Sequence, residues 1–159
     1  MDSTPKTGKK ASGELPVAPR ILVVEDDSAV LQVLCEQLTE LGYAVETAAD
    51  GEIALMRLRL RSDIDLILLD LDLPRMSGRE LIGVLSAGGS RVPIVVMTGT
   101  DHATDRIYLK RLQVAATLAK PFGLKVLAKA VSDVLKPLKA GAKRPSKGRK
   151  TTGPHKLHG

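Results

Sequence analysis

At 159 residues, with 43% apolar but only 2% aromatic side chains, the chain has room for one domain with tails and must build an aliphatic core. Its net charge of +6 is uneven: residues 1–19 carry three basic and two acidic side chains, residues 20–137 fourteen and sixteen, and residues 138–159 seven and none. The basic character therefore belongs to the tail and does not make the middle of the chain a nucleic-acid binder, and no run has the length of a membrane span.

Residues 1–19 mix Pro, Gly, Ser, Thr and Lys and lack the apolar stretch of a signal peptide, so they read as a disordered leader of a cytoplasmic protein. Residues 20–25 form the first predicted strand. Val30, Leu31, Leu34, Leu38 and Leu41 then follow a helical period, with Gly42 in the stop position. The single Cys35 lies in this helical pattern, cannot form an internal disulfide and fits a reducing compartment. Residues 44–48 alternate and suit a strand near a sheet edge. A second helix is expected over 50–61, with Ile53, Ala54, Met56 and Leu58 available for packing.

Residues 65–69 form the third predicted strand, 71–78 a loop, and 78–86 a short helix ended by Gly88 and Gly89. The fourth strand, 92–97, is entered through Pro93, tolerable near a strand start. A helix over 104–112, a short strand over 115–119 and a last helix over 123–136 complete five βα units. The last helix places Leu124, Leu127, Val131, Val134 and Leu135 on one face. Residues 20–137 are thus read as one α/β domain, and 138–159 as a basic disordered tail.

Each apolar run ends in a polar site. Glu25, Asp26 and Asp27 follow ILVV, Asp70 follows LILL, Thr98 follows IVVM, and Lys120-Pro121 follows TLA. Runs rich in Val, Ile and Leu read as strands buried on both faces of a parallel sheet. The carboxyl ends of parallel strands share one edge, where open α/β sheets bind ligands. Three acids, Glu25, Asp26 and Asp70, with a hydroxyl and an ammonium at one edge, make a metal-and-phosphoryl site. Asp70 is the candidate nucleophile, since a carboxylate attacks a phosphoryl group once its charge is neutralised. A hard divalent cation, Mg²⁺ or Mn²⁺, would be held by Glu25 and Asp26, beside the third strand if the order is 2-1-3-4-5. Asp27 or Ser28 is left to cap the following helix. Thr98 can donate to a phosphoryl oxygen, Gly99 leaves room for that group, and Lys120 adds a point charge.

On ILVVEDDS (21–28), LILLDLDLPRMSG (66–78), PIVVMTG (93–99) and AKPF (119–122) the chain resembles the bacterial two-component response-regulator receiver domain, as in the stand-alone chemotaxis receiver. The resemblance implies a flavodoxin-like (βα)₅ doubly wound sheet of order 2-1-3-4-5. It implies that Asp70 accepts phosphate from a sensor histidine kinase or histidine phosphotransfer protein, with only Mg²⁺-dependent self-phosphorylation and slow autodephosphorylation as chemistry. Glu25, Asp26 and Asp70 would hold the cation with the Asp72 backbone carbonyl, and the Leu71 and Gly99 amides would contact the phosphoryl oxygens. It further implies that Thr98 and Lys120 read the phosphate and draw the loop after the fourth strand inward. A cis Lys120-Pro121 bond, signalling through protein contacts, and a monomer or weak homodimer are also expected. Many receivers carry an aromatic three residues before the lysine, whereas this chain has Thr117; Tyr108 is a surface aromatic that could substitute.

Two rival readings differ in class. Asp70-Leu71-Asp72 imitates the Asp-x-Asp of haloacid-dehalogenase-like phosphohydrolases. That family continues with Gly-Thr and places its second acidic pair downstream, whereas Leu73-Pro74 follows here and the acidic pair lies upstream. The tail KAGAKRPSKGRKTTGPHK would support salt-sensitive, non-specific nucleic-acid binding, but has no room for a sequence-reading module.

Overall fold

Five short aliphatic runs become strands, each ended by a polar residue or a turn: β1 (Arg20–Val24), β2 (Ala44–Ala48), β3 (Leu66–Asp70), β4 (Ile94–Thr98) and β5 (Ala116–Ala119). The helices are α1 (Ser28–Glu40), α2 (Gly51–Leu60), α3 (Gly78–Ala87), α4 (Ala103–Arg111) and α5 (Leu124–Lys139). The structure is a computed structural model that describes residues 15–99, 103–112 and 114–139. Most of the expected leader, the centre of the loop after β4 and the tail beyond Lys139 lie outside these residues.

All strand pairs are parallel and the order is β2-β1-β3-β4-β5. The period of two divides the strand side chains between two cores. Ile21, Val23, Leu66, Leu68, Val95 and Met97 meet Leu34 and Leu38 of α1 and Leu127, Val131 and Leu135 of α5. Their neighbours Leu22, Val24, Ile67, Leu69 and Val96 meet Ala54 of α2, Leu81, Ile82 and Leu85 of α3, and Leu109 of α4. β3 is central and buried throughout, which explains its unbroken apolar sequence. Burying each such aliphatic side chain stabilises the fold by about 1.5–3 kcal/mol before chain entropy is counted.

Some expectations shift. β1 stops at Val24, so Glu25 is the first residue beyond it, whereas Asp70 is the last residue within β3. Met56 does not pack; α2 buries Ala54 and half-buries Ile53 and Leu58, leaving Met56 outward and 51% exposed. α1 buries only the i, i+4 pair Leu34 and Leu38, so Val30 and Leu41 stay exposed, as does Leu124 at the start of α5.

Local chemistry fixes the helix ends. The Asp27 carboxylate caps α1 by accepting from the amides of Ala29 and Val30 at 2.9 and 3.1 Å. Ser77 and Glu80 form a capping box at α3. Gly42, at φ 88°, supplies the left-handed residue after α1. At the outer strand β2, Glu46 faces Arg20 at 3.3 Å, Arg61 at 2.9 Å and Arg57 at 3.7 Å. Asp63 joins this group through Arg20 at 2.9 Å and Arg61 at 3.0 Å. Hydrogen bonding from Arg61, against some desolvation, lowers the Asp63 carboxyl to about 2. Among the described residues no helix is long and apolar enough to cross a membrane.

Candidate metal centre

Parallel pairing brings the ends of β1, β3, β4 and β5 to one edge, because Val24 lies beside Leu69, Asp70 beside Met97 and Thr98 beside Ala119. One carboxylate oxygen each from Glu25, Asp26 and Asp70 lies within 4.8 Å of the others. Glu25 is held by its amide, which donates to the Ala48 carbonyl at 3.1 Å, and its Oε1 accepts from the Asp27 amide at 3.1 Å. The Lys120 ammonium spans the pair, 2.9 Å from Glu25 Oε2 and 3.0 Å from Asp70 Oδ2. Asp70 Oδ1 accepts from the Asp72 amide at 3.0 Å.

These contacts set the electrostatics. Glu25 is 2% exposed, and that desolvation raises its pKa; the hydrogen bond from Lys120 opposes the shift, while the Asp70 charge adds to it. Burial alone would lower the Lys120 pKa, but its hydrogen bonds to Glu25 and Asp70 outweigh burial and raise it. Lys120 thus balances one of three crowded acids, leaving a concentrated negative charge. Oxygen donors of this kind, one exposed and two buried, fit a small hard cation that keeps some of its waters.

The tight chain path after Asp70 is carried by Gly78. A Cβ there would lie 2.4 Å from the Asp70 carbonyl oxygen and 2.7 Å from Leu71 Cα, and the Gly78 amide donates to the Leu71 carbonyl at 3.0 Å.

The sequence-derived set is therefore brought together for Glu25, Asp26, Asp70 and Lys120. Thr98 joins through the backbone, its carbonyl accepting from the Lys120 amide at 2.8 Å. Gly99 follows β4, and among the described residues no atom lies within 4 Å of where a Cβ on it would sit. The Leu71 amide donates to the Met97 carbonyl at 3.3 Å, continuing the ladder, while the Asp72 amide is the one turned to the Asp70 carboxylate. The Asp72 side chain is 73% exposed, so only its backbone belongs to the site. Asp27 serves as a cap. Lys120-Pro121 is cis. Thr117 is exposed on β5, and the Tyr108 hydroxyl lies 3.5 Å from the Arg79 carbonyl.

Sequence reasoning missed Asp50 and Arg75. Asp50 is fully buried, caps α2 through the Ile53 amide at 2.8 Å, and is paired with Arg75. Its place at a helix start was legible, but nothing local in Pro74-Arg75-Met76 announces the pairing.

Comparison with known proteins bears on this geometry. The model of the response regulator receiver domain family matches residues 21–132. The alkaline phosphatase synthesis transcriptional regulatory protein SphR of Synechococcus elongatus is 36% identical over 118 residues, 69% of this chain and 46% of that one. The response regulator MprA of Mycobacterium leprae is 36% identical over 117 residues, 74% of this chain and 51% of its own. The chain thus spans about half the length of these curated relatives. Among solved structures, the chemotaxis protein CheY4 of Vibrio cholerae superposes with a TM-score of 0.69 at 29% identity, covering 74% of this chain and 99% of that one. The receiver domain of the Francisella response regulator 1452 gives 0.71 at 25% identity, covering 76% and 98%.

Proposed function

The chain belongs to the response regulator receiver domain family, a signalling family of two-component systems, and from that premise we propose that Asp70 is its phosphoacceptor. The observation that carries this reading is the double engagement of Asp70. Its Oδ2 sits 3.0 Å from Lys120 Nζ, and its carboxylate lies within 4.8 Å of both Glu25 and Asp26.

Glu25, Asp26 and Asp70, with the Asp72 carbonyl, would hold Mg²⁺ or Mn²⁺. When bound, such a cation neutralises the acids and the incoming phosphoryl oxygens. The chain's own groups do the rest. Asp70 attacks phosphorus as the bond from phosphorus to the donor histidine nitrogen, or to a small donor's leaving oxygen, breaks, giving an acyl phosphate. Lys120 gives up its contact with Asp70 Oδ2 to a phosphoryl oxygen, Thr98 donates to another, and the Gly99 amide, with the Leu71 amide released from its long bond to the Met97 carbonyl, completes the oxyanion contacts.

The donor in this reading is a sensor histidine kinase or histidine phosphotransfer protein in the cytoplasm, and the output is a protein contact. SphR is a transcriptional regulatory protein, whereas the Vibrio chemotaxis protein is matched over nearly its whole length. On this reading the chain acts as a phosphoryl acceptor or shuttle.

The test is labelling by a small phosphodonor with Mg²⁺, followed by the stability of the phosphate to acid and base. Wild type should take one acid-stable, base-labile phosphate, lost in Asp70→Asn, and should fail to turn over a generic phosphomonoester. Equal labelling of Asp70→Asn would overturn the assignment.

A further inference from the structure

The loop of residues 71–77 carries the Asp72 carbonyl that the proposed function gives to the cation. Three hydrogen bonds from backbone amides hold it: the Asp72 amide to Asp70 Oδ1 at 3.0 Å, the Gly78 amide to the Leu71 carbonyl at 3.0 Å, and the Gly51 amide to the Met76 carbonyl at 3.3 Å. The last approach leaves no slack, since a Cβ on Gly51 would lie 2.6 Å from the Met76 oxygen. Two ionic tethers are added, a long one from Arg79 to Asp72 Oδ1 at 4.0 Å and one at the centre of the loop. Arg75 Nη2 donates to Oδ2 of Asp50, the residue before Gly51.

Two features set this pair apart from an ordinary surface bridge. Asp50 is 0% exposed, and Arg75 is the only cation paired with it among the described residues. Arg75 also has φ 63°, the only non-glycine residue with positive φ among those described. Arginine rarely adopts this conformation unless its surroundings enforce it. A buried anion gripping the far end of the side chain is such an enforcement, and it acts on the centre of the loop.

We propose that the Asp50–Arg75 pair is a positioning clamp for the metal centre, fixing the loop backbone and so the place of the Asp72 carbonyl. Cation affinity would then depend on two residues that never touch the cation. The physical reason is the stringency of Mg²⁺, which needs near-ideal octahedral geometry, so a ligand carbonyl free to wander binds it poorly. The inference rests on Glu25, Asp26 and Asp70 being the cation site.

The test is Mg²⁺ titration by calorimetry, with Mn²⁺ paramagnetic resonance in parallel, on the full chain. Asp50→Asn keeps a capping oxygen but removes the charge, and Arg75→Gln removes the partner. Each should weaken Mg²⁺ about tenfold, the low end for loss of an outer-shell partner. The double variant should be no weaker than the worse single, because both changes break one interaction. It leaves no lone buried charge, so it also keeps the test valid if Arg75→Gln alone unfolds. Arg75→Lys, which keeps the charge, should recover most of the affinity, and Arg59→Gln should bind like wild type. Wild-type affinity in the double variant, or additive losses in the two singles, would overturn the clamp. If Asp26→Ala binds as wild type does, or wild type binds no Mg²⁺, the cation site itself is wrong and the clamp falls with it.

Discussion

Removing the Lys120 ammonium should destabilise the metal-free protein in a way that depends on pH and on cations. Lys120→Met leaves Glu25, 2% exposed, and Asp70, with a side chain 7% exposed, facing each other within 4.8 Å without a counter-charge. At an effective dielectric constant of about 20 that repulsion is about 3 kcal/mol. Breaking a fully buried pair costs about 3–5 kcal/mol. The lysine side chain is 27% exposed, so solvent screens part of this. The expected loss at neutral pH is about 2–3 kcal/mol, or a fall in Tm of about 10 °C for a domain of this size. Glu25 already has a raised pKa, so its favourable contribution is complete below its ordinary value of 4.5 and is lost as pH rises through its folded value. Losing Lys120 raises that value further. The defect should therefore shrink as the protein is taken from about pH 7 to about pH 5, and should shrink with added Mg²⁺ or with Glu25→Gln in the same chain. Thermal unfolding followed by far-UV circular dichroism measures all three. A variant as stable as wild type at neutral pH, or a defect unchanged at about pH 5, would show that the ammonium does not hold these carboxylates together.

Gly78→Ala should cost about 3 kcal/mol or more, because its Cβ would collide with the Asp70 and Leu71 backbone at 2.4 and 2.7 Å; denaturant unfolding checks this, and a loss below about 1 kcal/mol would refute the close approach. Asp63→Asn should lower Tm at neutral pH but not near pH 2. Its carboxyl, lowered to about 2, contributes stability above the ordinary 3.8 that disappears as pH falls through about 2. An equal effect at both pH values would argue against the arginine network as the cause. Thr98→Ala should still accept phosphate yet lose the change in amide exchange that a phosphoryl mimic such as beryllofluoride produces, a coupling of about 1–2 kcal/mol. Wild-type exchange behaviour in that variant would remove Thr98 from the switch.

The legible parts of the chain were those where one residue reports its own surroundings. An unbroken run such as Leu66–Asp70 has only one comfortable setting, the middle of a parallel sheet, and the acid ending it must then lie at the carboxyl edge. Capping acids and stop glycines were similarly local, as Asp27 and Gly42 show. What failed depends on distant partners. Met56 fits a helical stripe equally well packed or exposed, and the sheet and the neighbouring α3 decide which residues of α2 are covered. Arg75 and Asp50 lie 25 positions apart, and their pairing follows from how the β3–α3 loop folds back on α2.

The arginines around Glu46 also bear on the company this domain can keep. Any open sheet offers two unpaired backbone rims on which a foreign strand could grow. One rim is β2, which carries the charged Glu46 with Arg20, Arg57 and Arg61 around it, and charged side chains on an edge strand discourage pairing. The opposite rim, β5, is only four residues long, and a short edge strand offers few groups to pair with. Both rims therefore carry the short or charged edges that discourage a foreign strand from extending the sheet.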